Sequence, residues 1–316
     1  MFQSVRTASN VRTQSGLNVF DRTAKRRHRN RVAELQSSEC DYVRKEVAYR
    51  VADRVYDIKK FFDVAVDLGC GKGFLAPHIF RENVGHFIQI DMSERMIASA
   101  AVSNEVPTSS ICADEERWPF REQTVDLFLS SLSLHWINDL PGVFRNIFAN
   151  LRDDGALIAA MFGGDTLYEL RCSLQLAEQS VLGGISPHIS PFVQVADIGA
   201  LLNRAGFKMI TVDVDELVVN YPTSIHLMND LQQMAENNAV WRRPLHLRRD
   251  VIAASDAIYK EMYANEDKTV PATFQMICLI GWRPGPDMAK PALRGSANVS
   301  IKDIEKLMNQ TSSEGK

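Results

Sequence analysis

The run Val64-Ala65-Val66-Asp67-Leu68-Gly69-Cys70-Gly71-Lys72-Gly73-Phe74-Leu75 constrains the fold of this chain more than any other segment. An apolar stretch of strand character ends in an acid, then in three glycines at alternate positions, with helix-like sequence beyond. Glycine lets a backbone turn tightly and lets a ligand approach with no Cβ in the way. A second apolar stretch, Phe87-Ile88-Gln89-Ile90, ends in Asp91, where a carboxylate can take both hydroxyls of a ribose. The spacing is G-x-G-x-G, not the G-x-G-x-x-G of dinucleotide sites. Taken alone, the loop is equally a tight strand–helix turn.

Around this loop the chain alternates short apolar strands with helical segments. A helix is expected over 32–60, with Val43, Val47, Val51 and Val55 on one face at four-residue spacing. Strands are expected near 63–68, 86–91, 109–112, 125–131 and 156–162. Helices should start at the glycine turn near 73, after Ser93 as N-cap, and near 140. This alternation predicts a parallel, doubly wound α/β sheet whose loops gather at one carboxyl edge. In the second half, helices are expected from Gly163 to about 181, over 195–206, 223–240 and 250–264, and strands over 208–219 and 273–282.

Three acids, Asp67, Asp91 and Asp114, then fall at three successive strand ends, the arrangement of a nucleotide-type site. Gly69, Gly71 and Gly73 supply backbone against the ligand, and Asp67 orders the turn or meets an ammonium. Asp91 takes the ribose, Asp114 an adenine amino group, and Met92 packs on the ring. Each acid alone is equally a helix cap or a surface charge. After the fourth strand come Ser131, Ser133, His135 and Trp136; His135 is a candidate base or a structural histidine. Asp165 and Glu169, at helical spacing, are read as sharing a face toward the cleft, where they would receive a cationic group or form an ordinary polar face. His188, in a proline-bracketed loop, is a weaker candidate, and Lys72 reads as a solvated charge.

The net charge of −3 conceals an asymmetry: residues 1–33 carry +7 and the other 283 carry −10. The first fifteen positions lack acids and contain Arg, Ser and Thr, as mitochondrial presequences do. The denser cluster from Arg22 to Arg31 reads either as a nucleic-acid or phosphate patch or as a solvated helix face. Five scattered cysteines without a C-x-x-C pair argue against a zinc cluster and suit a reducing compartment. No apolar run reaches the roughly 18 residues of a membrane helix.

With Ser130-Ser131-Leu132-Ser133-Leu134-His135-Trp136, the glycine run resembles the class I methyltransferase superfamily, close to bacterial malonyl-carrier-protein methyltransferases. More specific segments are Met161-Phe162-Gly163-Gly164-Asp165-Thr166-Leu167-Tyr168-Glu169-Leu170-Arg171, Ser186-Pro187-His188-Ile189-Ser190-Pro191-Phe192, Met262-Tyr263-Ala264-Asn265-Glu266-Asp267 and Arg294-Gly295-Ser296-Ala297. These resemble the assembly factor 5 family of mitochondrial respiratory complex I (NADH:ubiquinone oxidoreductase), from about Asn18 to residue 300. The resemblance implies a Rossmann-like fold with a mostly parallel seven-stranded sheet, helices on both faces and a helical insertion in the C-terminal half. It implies S-adenosylmethionine as cofactor, a matrix location peripheral to the inner membrane, and hydroxylation of an arginine on an iron–sulfur subunit of complex I, with other assembly factors as partners. No nucleic acid and no metal are implied. The expected organisation is a presequence over 1–17, a cofactor-binding domain over 18–283 with its insertion at about 221–265, and a tail over 284–316.

An iron(II) oxygenase wants two histidines and a carboxylate on one face, yet no histidine here is followed two positions on by Asp or Glu. Two other readings therefore stand beside the hydroxylase. One is a conventional methyltransferase acting on a carboxylate, a small molecule or a protein; the other is a non-catalytic assembly chaperone with this fold.

Overall fold

The computed structural model describes residues 18–35, 39–286, 288 and 294–296; the presequence expectation lies outside them. Two helices lead the chain, α1 (Arg22–Leu35) and α2 (Tyr42–Tyr56), where one helix over 32–60 was expected. The valine stripe belongs wholly to α2, and all four valines are buried. Next come β1 (Phe62–Leu68), β2 (Val84–Asp91), α3 (Glu94–Ser99), β3 (Thr108–Cys112), β4 (Val125–Ser131), α4 (Leu140–Asn150) and β5 (Leu151–Phe162). The second half contributes α5 (Tyr168–Leu182), α6 (Val195–Ala205), β6 (Lys208–Tyr221), α7 (Ser224–Gln233), α8 (Arg249–Tyr263) and β7 (Val270–Trp282).

The seven strands form one sheet in the order β3-β2-β1-β4-β5-β7-β6, with β7 antiparallel to both of its neighbours and every other pair parallel. Strand order reverses between β1 and β4, which opens a crevice at the carboxyl edge just where the glycine loop leaves β1. Along β4 the side chains alternate: Leu127 and Leu129 join the core shared with α2, α5 and α8, and Phe128 joins the core shared with α4 and α6. Helices thus cover both faces, which is why β1 buries Ala65 in one core and its neighbour Val66 in the other. β6 forms one outer edge and pairs with β7 from Tyr221↔Val270 to Lys208↔Trp282; α7 and α8 lie between these two strands in sequence.

Three further expected helices differ, and one of them, expected over 223–240, ends at Gln233 as α7. After the glycine turn there is a single 3₁₀ turn, Ala76–His78, where Pro77 lacks the N–H that a continuing helix needs. α5 starts at Tyr168, not Gly163, because Leu167 adopts a left-handed φ of 55° and breaks the helical path. Among the described residues no helix is long and apolar enough to cross a membrane. The chain divides into two compact units at Pro284; the second begins at Gly285 and is described at 285, 286, 288 and 294–296.

Candidate functional site

At the end of β1, Gly69, Gly71 and Gly73 all have positive φ (80°, 56° and 77°), a path that other residues follow only with strain. The backbone N–H groups of Gly69 and Cys70 donate to the carbonyl of Ile90 (2.8 and 2.9 Å), tying the loop to β2. Asp67 is buried beneath the turn, and neither of its carboxylate oxygens has a hydrogen-bond partner. Burial, reinforced by the negative charge of Asp91, pushes its pKa far above the usual carboxylate range. An orphaned buried carboxyl beneath a glycine turn is a ready partner for a cationic ligand group.

Asp91 ends β2 and is fully buried. Its Oδ1 accepts from the N–H of Ser93 (2.8 Å), and its Oδ2 accepts from Gly71 N–H and from Arg29 Nη1 (both 3.0 Å). Arg29 comes from α1. Its guanidinium also meets Glu115, and its Nη2 donates to the Ser133 hydroxyl at 2.9 Å. One helical face along, Arg22 pairs with Asp114 (2.8 Å) and with Glu115. Burial pushes the Glu115 carboxyl up, but Arg29 and then Arg22 outweigh it and hold the group at about 2. Beside this cluster a cavity of about 270 Å³ is lined by Arg22, Thr23, Arg26, Met92, Cys112 and Asp114.

A second cluster lies after β4. Glu236, which follows α7, accepts from Trp136 Nε1 (2.8 Å), lies 3.2 Å from His135 Nε2 and pairs with Arg44 of α2. Lys25 of α1 completes it: its ammonium is 3.5 Å from the Trp136 ring centroid, 2.5 Å from the carbonyl of Ala235 and 3.3 Å from Glu236 Oε1. Glu236 is pulled far below the usual range, Lys25 foremost and then the His135 hydrogen bond and Arg44 outweighing burial. His135, fully enclosed against Phe162, Phe192 and Trp136, is pushed below its ordinary value by burial, and its Nδ1 has no partner.

The structure gathers Asp67, Gly69, Gly71, Gly73, Asp91, Met92 and Asp114 at the carboxyl edge as expected, with four corrections nearby. The serine hydroxyl in the cluster is that of Ser133, since β4 ends at Ser131 and the chain then turns through Leu132 at positive φ. Glu115 is the acid that points inward, whereas Asp114 is partly exposed and caps the N–H of Glu116. Asp165 and Glu169 do not share a face toward the cleft. Asp165 precedes the helix and accepts from Gln275 Nε2 (2.9 Å), while Glu169 turns inward to accept from the Thr273 hydroxyl and N–H on β7. Lys72 is paired with Asp41 (2.8 Å) and is not a solvated charge, and His188 lies 2.8 Å from Glu178.

Neither a solvated face nor a nucleic-acid patch describes the inward side of the basic cluster, because Arg22, Lys25 and Arg29 are spent on acids of the cleft. Glu236, Arg44 and the inward role of α1 were the residues that sequence reasoning missed. Arg44 Nη1 lies 3.4 Å from where a Cβ on Gly71 would sit, so it borders the loop.

This architecture, a mostly parallel seven-stranded sheet with a glycine loop and an acid at the next strand end, defines a methyltransferase-type protein. Residues 66–159 match the family model described as a methyltransferase domain. A putative methyltransferase structure from Bacillus halodurans shares the fold at a TM-score of 0.53 and 12% identity, covering 75% of this chain and 99% of its own. Among curated proteins, the mitochondrial arginine-hydroxylase NDUFAF5 of Danio rerio is 52% identical over 96% of this chain and 94% of its own length. A malonyl-[acyl-carrier protein] O-methyltransferase of Methylovorus is 28% identical over 79% of the chain and 85% of its own. The chain belongs to the NDUFAF5 family, on a methyltransferase fold.

The donor set fits the cofactor that this fold implies, S-adenosylmethionine: the orphaned Asp67 suits its ammonium, and Asp91 its ribose. The space in front of those donors is another matter. A Cβ on Gly69 would sit 2.0 Å from the Ser133 hydroxyl, and Arg29 covers Asp91. The chemistry of the site is complete while α1 fills its volume.

Proposed function

We propose that this protein binds S-adenosylmethionine at the carboxyl edge and acts in mitochondria as an arginine hydroxylase in the assembly of complex I. Its substrate on this reading is an arginine of an iron–sulfur subunit, met in the matrix at the inner membrane surface, with other assembly factors as partners. The observation that carries the reading is the 52% identity, over almost the whole chain, with a relative named for that activity. The cofactor is held by the backbone of Gly69, Gly71 and Gly73 and by Asp67 at its amino-acid end, by Asp91 at the ribose, and by Met92 and Asp114 at the adenine. Arg44, beside Gly71, is placed for its carboxylate. When bound it brings a methyl group on a positively charged sulfur. His135, enclosed against Phe162, Phe192 and Trp136, leaves Nδ1 unengaged.

The test is the mass of the candidate arginine peptide from complex I with this protein present and depleted. Loss of one oxygen on depletion supports the hydroxylase. Loss of one methylene supports a conventional methyltransferase, the second reading, which the glycine loop and the likeness to an O-methyltransferase favour. An unmodified peptide in both samples, with assembly still failing, points to a chaperone role.

A further inference from the structure

The inward face of α1 mixes buried cations, Lys25 and Arg29, with small apolar side chains, Ala24, Val32 and Ala33. Arg22, Lys25 and Arg29 recur at helical spacing and all lie buried or nearly so, whereas the apolar anchorage is limited to Ala24 and to Val32 and Ala33 against Met96 and Ala235. Arg29 covers Asp91 and is bonded to Ser133, the residue filling the space before Gly69. A ribose can reach Asp91 only after Arg29 has left. Lys25 sits one turn earlier on the same rigid helix, so the step that clears Asp91 also withdraws Lys25 from its own enclosure.

That enclosure is complete for a flat cation. It offers the face of Trp136, the carbonyl of Ala235 and the carboxylate of Glu236. A guanidinium stacks on an indole face and forks onto a carboxylate better than an ammonium does. The enclosure also borders the cofactor loop, because Arg44 bridges from Glu236 to the edge of Gly71. Burial without water pushes the ammonium of Lys25 well below its ordinary pKa, so this cation is held at a desolvation cost that a departing helix recovers.

We propose that Trp136, Glu236 and the Ala235 carbonyl form the subsite for the substrate arginine, that Lys25 of α1 occupies it in the resting protein, and that cofactor binding, by displacing Arg29 from Asp91, vacates it. Binding is then ordered, cofactor before arginine. The assignment rests on the arginine-modifying reading above and moves substrate recognition from Asp165 and Glu169 to Glu236.

The experiment uses the full chain with S-adenosylhomocysteine and N-acetyl-arginine methylamide as probes. Amide hydrogen exchange over 22–35 should rise at least tenfold when S-adenosylhomocysteine saturates the protein. The arginine amide should bind, by titration calorimetry, at least tenfold more tightly with S-adenosylhomocysteine present than without it. Glu236→Gln should still bind S-adenosylhomocysteine and lose the arginine amide by roughly tenfold, about 1.4 kcal/mol. Lys25→Ala, which removes the side chain from over Trp136, gives a second variant should Glu236→Gln fail to fold, and should relax the order by letting the amide bind without the nucleoside. Saturating S-adenosylhomocysteine that leaves 22–35 as protected as before overturns the proposal while leaving the functional reading intact, as does equal amide affinity with and without it. Failure of the native chain to bind S-adenosylhomocysteine at all overturns the functional reading itself and this proposal with it.

Discussion

α1 and α2 follow one another in the chain, yet they are held by opposite means. α2 buries Val43, Val47, Val51 and Val55 against the sheet core, each worth about 1.5–3 kcal/mol relative to exposure. α1 buries Lys25 and Arg29, and its attachment depends on Asp91, Glu115 and Glu236. Apolar burial holds wherever water is excluded. An ionic attachment holds while both partners keep their charge, and the apolar side chains that α1 would expose on letting go are Ala24, Val32 and Ala33. One helix belongs to the scaffold; the other is built to come and go.

Breaking the apolar side should have the largest effect. Val51→Asp places an unpaired charge where no water reaches and should cost about 4 kcal/mol or more, abolishing the cooperative melt seen by circular dichroism. Val47→Ala, which removes two methyl groups from the same seam, should cost about 2 kcal/mol in denaturant unfolding. Arg29→Met probes the ionic side. A buried pair broken with its partner left dry costs about 3–5 kcal/mol, but Asp91 is rehydrated once α1 lifts, so global stability should fall by about 1–2 kcal/mol. Hydrogen exchange over 22–35 should meanwhile rise far more than over 42–56. A loss of protection shared equally by both helices would show that they form a single cooperative unit.

Acid should separate the helices as well. Glu115 is held at about 2 in the folded state, below its ordinary 4.5, so its contribution is present above pH 4.5 and lost as pH falls toward 2. Exchange over 22–35 should accelerate across that window before the valine-anchored helix responds. The smallest effect is expected from Arg50→Ala, which removes an exposed pair between α2 and Asp215 and should change stability by roughly 0–1 kcal/mol.

Much of the scaffold was legible because its signals are local. Every strand of the sheet was expected near its observed place, Ser93 caps α3 through the N–H of Met96, and the valine stripe marks α2. The glycine loop and Asp91 were legible from spacing alone. What escaped depends on distance along the chain. The partners of Arg29 and Lys25 lie from 62 to 211 positions away, and a run of cations with no apolar period reads as surface until those acids are placed in space. Asp165 and Glu169 were misplaced for a local reason: helical spacing was assumed across Leu167, whose left-handed backbone ends that spacing. Glu115 escaped notice beside Asp114 because both follow β3 and a one-residue difference decides which one turns inward.

The sheet ends on one side at β6, whose outer positions include Asp213, Asp215 and Glu216. Arg54 and Arg50 of α2 reach across to the first two of these acids. An unpaired strand edge is a template on which another chain can add itself, and charges on such an edge, especially ones already held by side chains from elsewhere, make that addition unfavourable. At fourteen residues this edge is long enough to template such an addition. The acids of β6 therefore guard the sheet against edge-to-edge association of one copy with another.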